Sequence, residues 1–245
     1  CLVGSEMCIR DRDDGDELEY NAGSKKAGGR GVGSEVLFGN NVMIEMGSGD
    51  QRVKLGIEIC EDAWTPVSPG RLLAMAGAEV ILNLSASNEV IGKAAYRHKL
   101  IGSVSSDCLC GYVYVSAGMY ESTSDLVFSG HNLMYENGKL LGEVKPFEDG
   151  VLIRDISPTK IRHDRIANKS FADCKRDFAF RKYETVVCDT PLMDKGNVLM
   201  KVKMTPFVPS GNKLERCMAI FKMQVAGLQR RIEAVSYTHL TLPTN

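Results

Sequence analysis

The sequence predicts an α/β domain, a mixed sheet with covering helices, and three stretches carry that prediction. From Val53 to Cys60, the apolar Leu55, Ile57 and Ile59 alternate with Gly56, Glu58 and Cys60, the period of a β-strand, here ending on a thiol before the acidic pair Glu61-Asp62. Ala78 to Leu84 is a mostly apolar run, the pattern of a strand covered on both faces. Between Ile91 and Cys108, Tyr96, Leu100, Val104 and Cys108 recur every fourth residue and Ile101 widens the stripe, which predicts a helix with that face on the sheet.

The remaining elements follow in order. Ordered patterning begins near Glu35 with EVLFG; NVMIEM and VKLGIEIC then flank a Gly-Ser-Gly-Asp cluster, predicting antiparallel strands over Val42 to Met46 and Val53 to Cys60. Ser68-Pro69 is a helix start, with serine as cap and proline in the first turn, and Gly77 is its stop. Gly111 to Ala117 alternates tyrosine and valine as a strand. HNLMYE and KLLGEV flank Asn137-Gly138, a pair that tolerates the positive φ of a type I′ hairpin turn. Beyond Asp155 charges crowd Lys160 to Arg165 and Ala172 to Lys182, and no period is sustained to Pro209, so a connector over the domain surface is expected. Leu214, Met218, Phe221, Val225, Leu228 and Ile232 then resume a three-four spacing, a helix.

Composition narrows the function. The 245 residues carry 30 Lys+Arg against 31 Asp+Glu, a formal charge of -1, which gives no field for nucleic acid or an anionic membrane. No apolar run has membrane-spanning length and no signal-like segment opens the chain, so a cytoplasmic protein is expected. Eight scattered cysteines without a C-x-x-C pair, beside only four histidines, fit free thiols in a reducing compartment better than disulfides or zinc. CLVGSEMCIRDR and VSYTHLTLPTN, at the two ends, keep no register with their neighbours and resemble translated sequencing-adapter read-through; Asp13 to Gly33, polar and glycine-rich, is expected to be a loop.

GIEICEDAW, AGAEVILNLSASNEVIGKAAYR and GYVYVSAGMYESTSDLVFSGHNLMYENGKLLGE resemble, in order and with few gaps, the glutaminase domain of glutamine-dependent NAD synthetases, members of the nitrilase superfamily. The resemblance covers about Gly33 to Arg165, with a further match near the C-terminus. It implies a nitrilase-type α-β-β-α sandwich, incomplete here, followed by a connector and a C-terminal helix. The expected organisation is a scar over 1–12, a partial glutaminase domain over 13–165, a connector over 166–213, the first helix of a truncated synthetase domain over 214–234 and a scar over 235–245. The resemblance implies that the cysteine attacks the side-chain amide of glutamine, and that the ammonia released amidates deamido-NAD in a separate domain. It implies ATP and magnesium for that domain, no cofactor for this stretch, and a homo-oligomeric parent.

Position alone leaves Cys60 as either a nucleophile, set on a strand end and aimed by the sheet, or a buried structural cysteine. The resemblance assigns it the nucleophile's role, and assigns glutamine binding to Glu61, Ser87 and Lys93. Their plainer readings are a solvated turn carboxylate, a helix cap and an exposed charge. Trp64 either walls the pocket or packs under the loop. The catalytic glutamate and lysine of the family lie upstream of the cysteine, but Glu17, Glu19, Glu35, Glu45, Lys25, Lys26 and Lys54 sit in no matching motif. The glycine-rich loop expected after the last helix is replaced by VSYTHL. The chain by itself is therefore expected to be inactive in both reactions. A dyad of Cys60 with His98 or His131 is not expected, nor is a metal at Glu61-Asp62. The competing functional readings are another carbon-nitrogen hydrolase, an amidase or nitrilase, and a catalytically dead nitrilase-like assembly module.

Overall fold

Strand β1 (Val42–Met46) runs antiparallel to β2 (Val53–Ile59), with Met43 opposite Gly56 and Met46 opposite Val53. β3 (Val80–Ser85) and β4 (Gly111–Ser116) continue parallel to β2, each reached through a helical crossover. β5 (Asn132–Glu136) and β6 (Lys139–Val144) return as an antiparallel hairpin, and β7 (Glu184–Cys188) adds to the other edge parallel to β1. The result is one seven-stranded mixed sheet, ordered β6-β5-β4-β3-β2-β1-β7. This computed structural model describes residues 41–47, 49–122, 126–178, 181–188, 199, 212–218, 220–222 and 224–225. The terminal stretches, the segment 13–33 expected to be a loop, and EVLFG lie outside them. Contacts divide the chain into two units, Cys1–Met200 and Lys201–Asn245. In the second, residues 213–218, 220–222 and 224–225 are helical, as the apolar spacing predicts; the rest of the expected helix lies outside the described residues.

Helix α1 (Pro69–Ala76) begins as its sequence dictates: the Ser68 hydroxyl accepts the Arg71 N–H at 3.2 Å, Pro69 takes the first position, and Gly77 ends the helix at φ +123°. Helix α2 (Lys93–Asp107) follows β3. Both helices pack on one face of the sheet around Leu73, Ile81, Ile101, Val104, Tyr112 and Leu133. At the hairpin, Asn137 and Gly138 adopt φ of +46° and +78°, the two positive values a type I′ turn requires.

In β2, where the period leaves the covered side open, the covered face is the polar one: Glu58 is 1% exposed under the helices, while Ile57, on the other face, is 37% exposed. Two expectations are corrected. In β3 the second face is covered only at its start: Val80 is buried, whereas Leu82 is half-buried and Leu84 is 54% exposed. On α2 the expected stripe packs on the core at Leu100, Ile101, Val104 and Cys108, but Tyr96 is 53% exposed and Arg97 and Ser105 are buried instead. The shift arises because the Arg97 guanidinium finds inward partners, whereas Tyr96 stacks on Trp64. The open apolar face accounts for the exposure in β2 and β3: one helix layer and one sheet of the sandwich are described, and the face that a second sheet would cover carries Ile57, Leu84 and Val115.

The stretch that reads as a connector is more structured than its charge pattern implies. Ser157 and Asn168 cap α3 (Pro158–Ala167) and α4 (Lys169–Asp177), and β7 pairs along the whole of β1. Arginines do the anchoring. Arg165 donates to the carbonyls of Leu109 (2.9 Å), Ala78 (2.8 Å) and Cys108 (3.1 Å), and Arg162 pairs with Glu79 and bonds the Arg52 carbonyl. A periodicity search has no means of seeing this, because the stabilising contacts are polar and run to distant backbone.

Candidate active site

The carboxyl ends of parallel β2 and β3 lie side by side, so the sheet brings the Cys60 turn and the segment after Ser85 to one edge, where open α/β sheets place their ligands. Cys60 opens a 3-10 turn, Cys60–Trp64, with a φ of +49° that non-glycine residues seldom adopt. The strain is held from both sides. The buried Asp62 carboxylate accepts the Ile59 N–H at 2.9 Å, and the Asn83 amide donates to the Cys60 carbonyl at 3.4 Å. Such an outlier, pinned rather than relaxed, is typical of a functional position.

Of the residues expected around the thiol, Lys93 is the first of α2 and half-buried, donating to Asn88 Oδ1 at 2.8 Å with its ammonium 5.6 Å from the Trp64 ring centroid. Burial, then the neighbouring Arg97 charge, push its pKa down, while Glu89 and Cys60 oppose the shift; Lys93 therefore lies within electrostatic reach of the thiol. Trp64 stacks on Tyr96, centroids 5.4 Å apart and planes 7° apart, and so bridges the Cys60 turn to α2. Ser87 is buried in the segment after β3, and its carbonyl accepts from Arg97 at 3.5 Å. Glu61 is exposed beside the thiol. Of the upstream residues weighed from sequence, Glu45 is described and pairs with Arg52 at 3.0 Å and Lys54 at 3.6 Å on the sheet, away from the Cys60 end of β2.

Arg97, missed in the sequence, is the organiser of the loop after β3. It is 0% exposed and donates to Glu89 at 2.5 Å and to the carbonyls of Ser87 and Asn88. An arginine on the stripe side of a helix, five residues after the glycine at its start, was the available signal. Its other neighbour is His131, whose Nδ1 lies 3.4 Å from an Arg97 nitrogen. The two histidines stand together, with Glu143 and not with Cys60: His98 Nε2 and His131 Nε2 each lie 3.0 Å from the same Glu143 oxygen, and Tyr135 reaches His98 Nδ1 at 2.6 Å. Because a guanidinium only donates, His131 Nδ1 accepts and its Nε2–H donates to Glu143. A metal ligand at Nε2 would need the opposite tautomer, with Nδ1–H facing the permanent Arg97 charge.

The cluster makes a pH prediction. Burial, and then the Arg97 charge, hold the His131 pKa below its ordinary value; burial works against ionised Glu143, but hydrogen bonds from both histidines bring its pKa below the carboxylate norm. Both folded values are depressed, so both groups stabilise the fold above their unfolded pKa values of about 6.5 and 4.3, and that stability is lost as pH falls through the folded values. The Tm is expected to drop on acidification from neutral pH. His131→Gln, whose carbonyl and amide reproduce the acceptor and donor, is expected to flatten the first part of that drop. An unaltered slope in the variant would exclude His131 as the titrating group.

The structure thus sets a thiol on a strained, pinned turn at the carboxyl edge of two parallel strands, with the Ser87 segment leaving the neighbouring strand. The carbon-nitrogen hydrolase family model matches residues 26–166, more than half of the chain, and the chain belongs to that family. It is 36% identical over 219 residues to the glutamine-dependent NAD(+) synthetase of Mycobacterium tuberculosis (strain ATCC 25618 / H37Rv), covering 86% of this chain and 32% of that protein. The synthetase of Mycobacterium leprae (strain TN) is 36% identical over 197 residues, covering 77% of this chain and 29% of that one. The chain thus spans about a third of the length of these curated relatives. Among solved structures, the glutamine-dependent NAD+ synthetase from Acinetobacter baumannii is similar at 24% identity and a TM-score of 0.37, over 40% of this chain and 18% of that chain. Among the described residues no helix is long and apolar enough to cross a membrane.

Proposed function

We propose that Cys60 is the nucleophile of a glutamine amidohydrolase reaction that supplies ammonia for the amidation of deamido-NAD to NAD. The observation that carries the reading is the pinned, positive-φ placement of this thiol at the end of β2, beside the carboxyl end of β3 from which the Ser87 segment leaves. The thiolate attacks the amide carbon of glutamine, the tetrahedral oxyanion collapses with departure of ammonia, and water hydrolyses the thioester to glutamate and free thiol. Lys93 and Ser87 hold the amino-acid end of glutamine, with Glu61 at the pocket mouth. Cys60, Cys108 and Cys110 are all buried, but for Cys108 burial pushes the thiol up to about 11 and for Cys110 higher still, which disfavours both as thiolates. The glutamate base and lysine of the family are not identified in this sequence, and ATP and magnesium belong to the amidating step, so no step is assigned to those groups.

Competitive labelling tests the reading. A glutamine-like chloroketone is expected to modify Cys60 with saturable kinetics that glutamine suppresses. The exposed Cys174 and Cys217 should react in simple proportion to reagent concentration. Lys93→Ala is expected to weaken saturation by about 10-fold, the loss of one charge-assisted contact. Peptide mass spectrometry distinguishes the sites; non-saturable labelling of Cys60 would remove it from the substrate pocket.

A further inference from the structure

Beneath the Cys60 turn lies a buried polar cluster that the thioester chemistry does not itself use. Glu58, two residues before the thiol, points to the helix-covered face, and three donors converge on its carboxylate. The Gly70 N–H bonds Oε2 at 2.7 Å, the Tyr112 hydroxyl bonds Oε1, and the Asn83 amide approaches Oε1 at 3.5 Å. The same Asn83 nitrogen is the one that reaches the Cys60 carbonyl, while the Ser85 hydroxyl fixes the other end of that amide at 2.6 Å. No cation pairs with Glu58 among the described residues.

We infer that Glu58 is a positioning residue for the nucleophile: through Asn83 it holds the Cys60 carbonyl, and through Gly70 it locks the turn to the start of α1. This rests on Cys60 being the nucleophile. The geometry is specific to a carboxylate opposite a glycine. A Cβ at residue 70 would stand 2.5 Å from Glu58 Oε2, closer than any van der Waals contact allows. Burial lifts the Glu58 pKa against the opposing hydrogen bonds from Tyr112, Gly70 and Asn83, so the site maintains an expensive group where an apolar side chain would pack at less cost. What the carboxylate supplies and an apolar residue would not is orientation of Asn83, and with it the +49° backbone of Cys60. Misplacing a nucleophile by about 1 Å costs on the order of 100-fold in rate while leaving the substrate contacts of Ser87 and Lys93 in place.

The test uses the complete gene product, with Glu58→Gln, Glu58→Ala, Gly70→Ala and Cys60→Ala compared for glutamine-dependent and ammonia-dependent amidation. Glutamine places an acceptor on one side of the site only, so kcat with glutamine is expected to fall in the order wild type, Glu58→Gln, Glu58→Ala. The last should be down on the order of 100-fold, with glutamine KM within about threefold of wild type. Gly70→Ala is expected to reproduce the loss by displacing the carboxylate from the other side. Ammonia-dependent amidation should hold in all four, which also reports that they fold. An unchanged kcat in Glu58→Ala, a KM-only effect, or loss of ammonia-dependent amidation in both Glu58→Gln and Gly70→Ala would overturn the inference. The failures are distinguishable: a glutamine-active Cys60→Ala enzyme removes the nucleophile assignment itself, whereas a silent Cys60→Ala beside a normal Glu58→Ala removes only the positioning role.

Discussion

Replacing Cys60 with alanine in the complete gene product is expected to abolish glutamine-dependent amidation, by on the order of 10,000-fold or more, and to leave ammonia-dependent amidation intact. The size follows from covalent catalysis: without the thiolate there is no thioester, and neither Lys93 nor the Ser87 segment offers another nucleophile of comparable strength. The selectivity follows from the division of labour, since externally added ammonia bypasses amide cleavage altogether. The alanine itself should be well tolerated in packing, because Cys60 opens a turn and is not a member of the central cluster around Leu73, Ile81 and Tyr112. Measured by NAD formation with glutamine or with ammonium chloride, retained glutamine turnover in this variant would refute the assignment.

The largest stability effect is expected at Arg97. Arg97→Met keeps the apolar stem but leaves the Glu89 carboxylate, itself largely buried, without its cation and strips donors from the Ser87 and Asn88 carbonyls. Breaking one side of a buried ion pair costs about 3–5 kcal/mol, a large share of the stability of a domain this size. Combining it with Glu89→Gln removes the orphaned charge and should recover part of the loss. Urea unfolding of the three proteins checks both statements; a single-variant cost below about 1 kcal/mol would mean that the guanidinium does not order the loop. Because Asn88 accepts from Lys93, the same variant should loosen the ammonium end of the pocket.

Sequence by itself determined the alternation and order of elements around the thiol. The paired strands Val42–Met46 and Val53–Ile59, the capped start of α1 and the Asn137-Gly138 hairpin follow from local patterns that act over a few residues, and the structure holds each of them. The ICED and NLSASNEVIGK stretches carried the family. Facing and polarity were decided elsewhere. Period two states that Glu58 and Ile57 point to opposite sides but not which side is covered, and here the helices cover the carboxylate because Gly70, Tyr112 and Asn83, from 12 to 54 residues away, supply its donors. The same holds for Arg97, whose burial depends on Glu89 and on backbone carbonyls, and for Arg165, which fastens α3 to three carbonyls of the sheet side. Apolar burial is additive and leaves a periodic signature along the chain; a buried charge is stable only where distant partners converge on it, and that convergence exists only in the folded molecule.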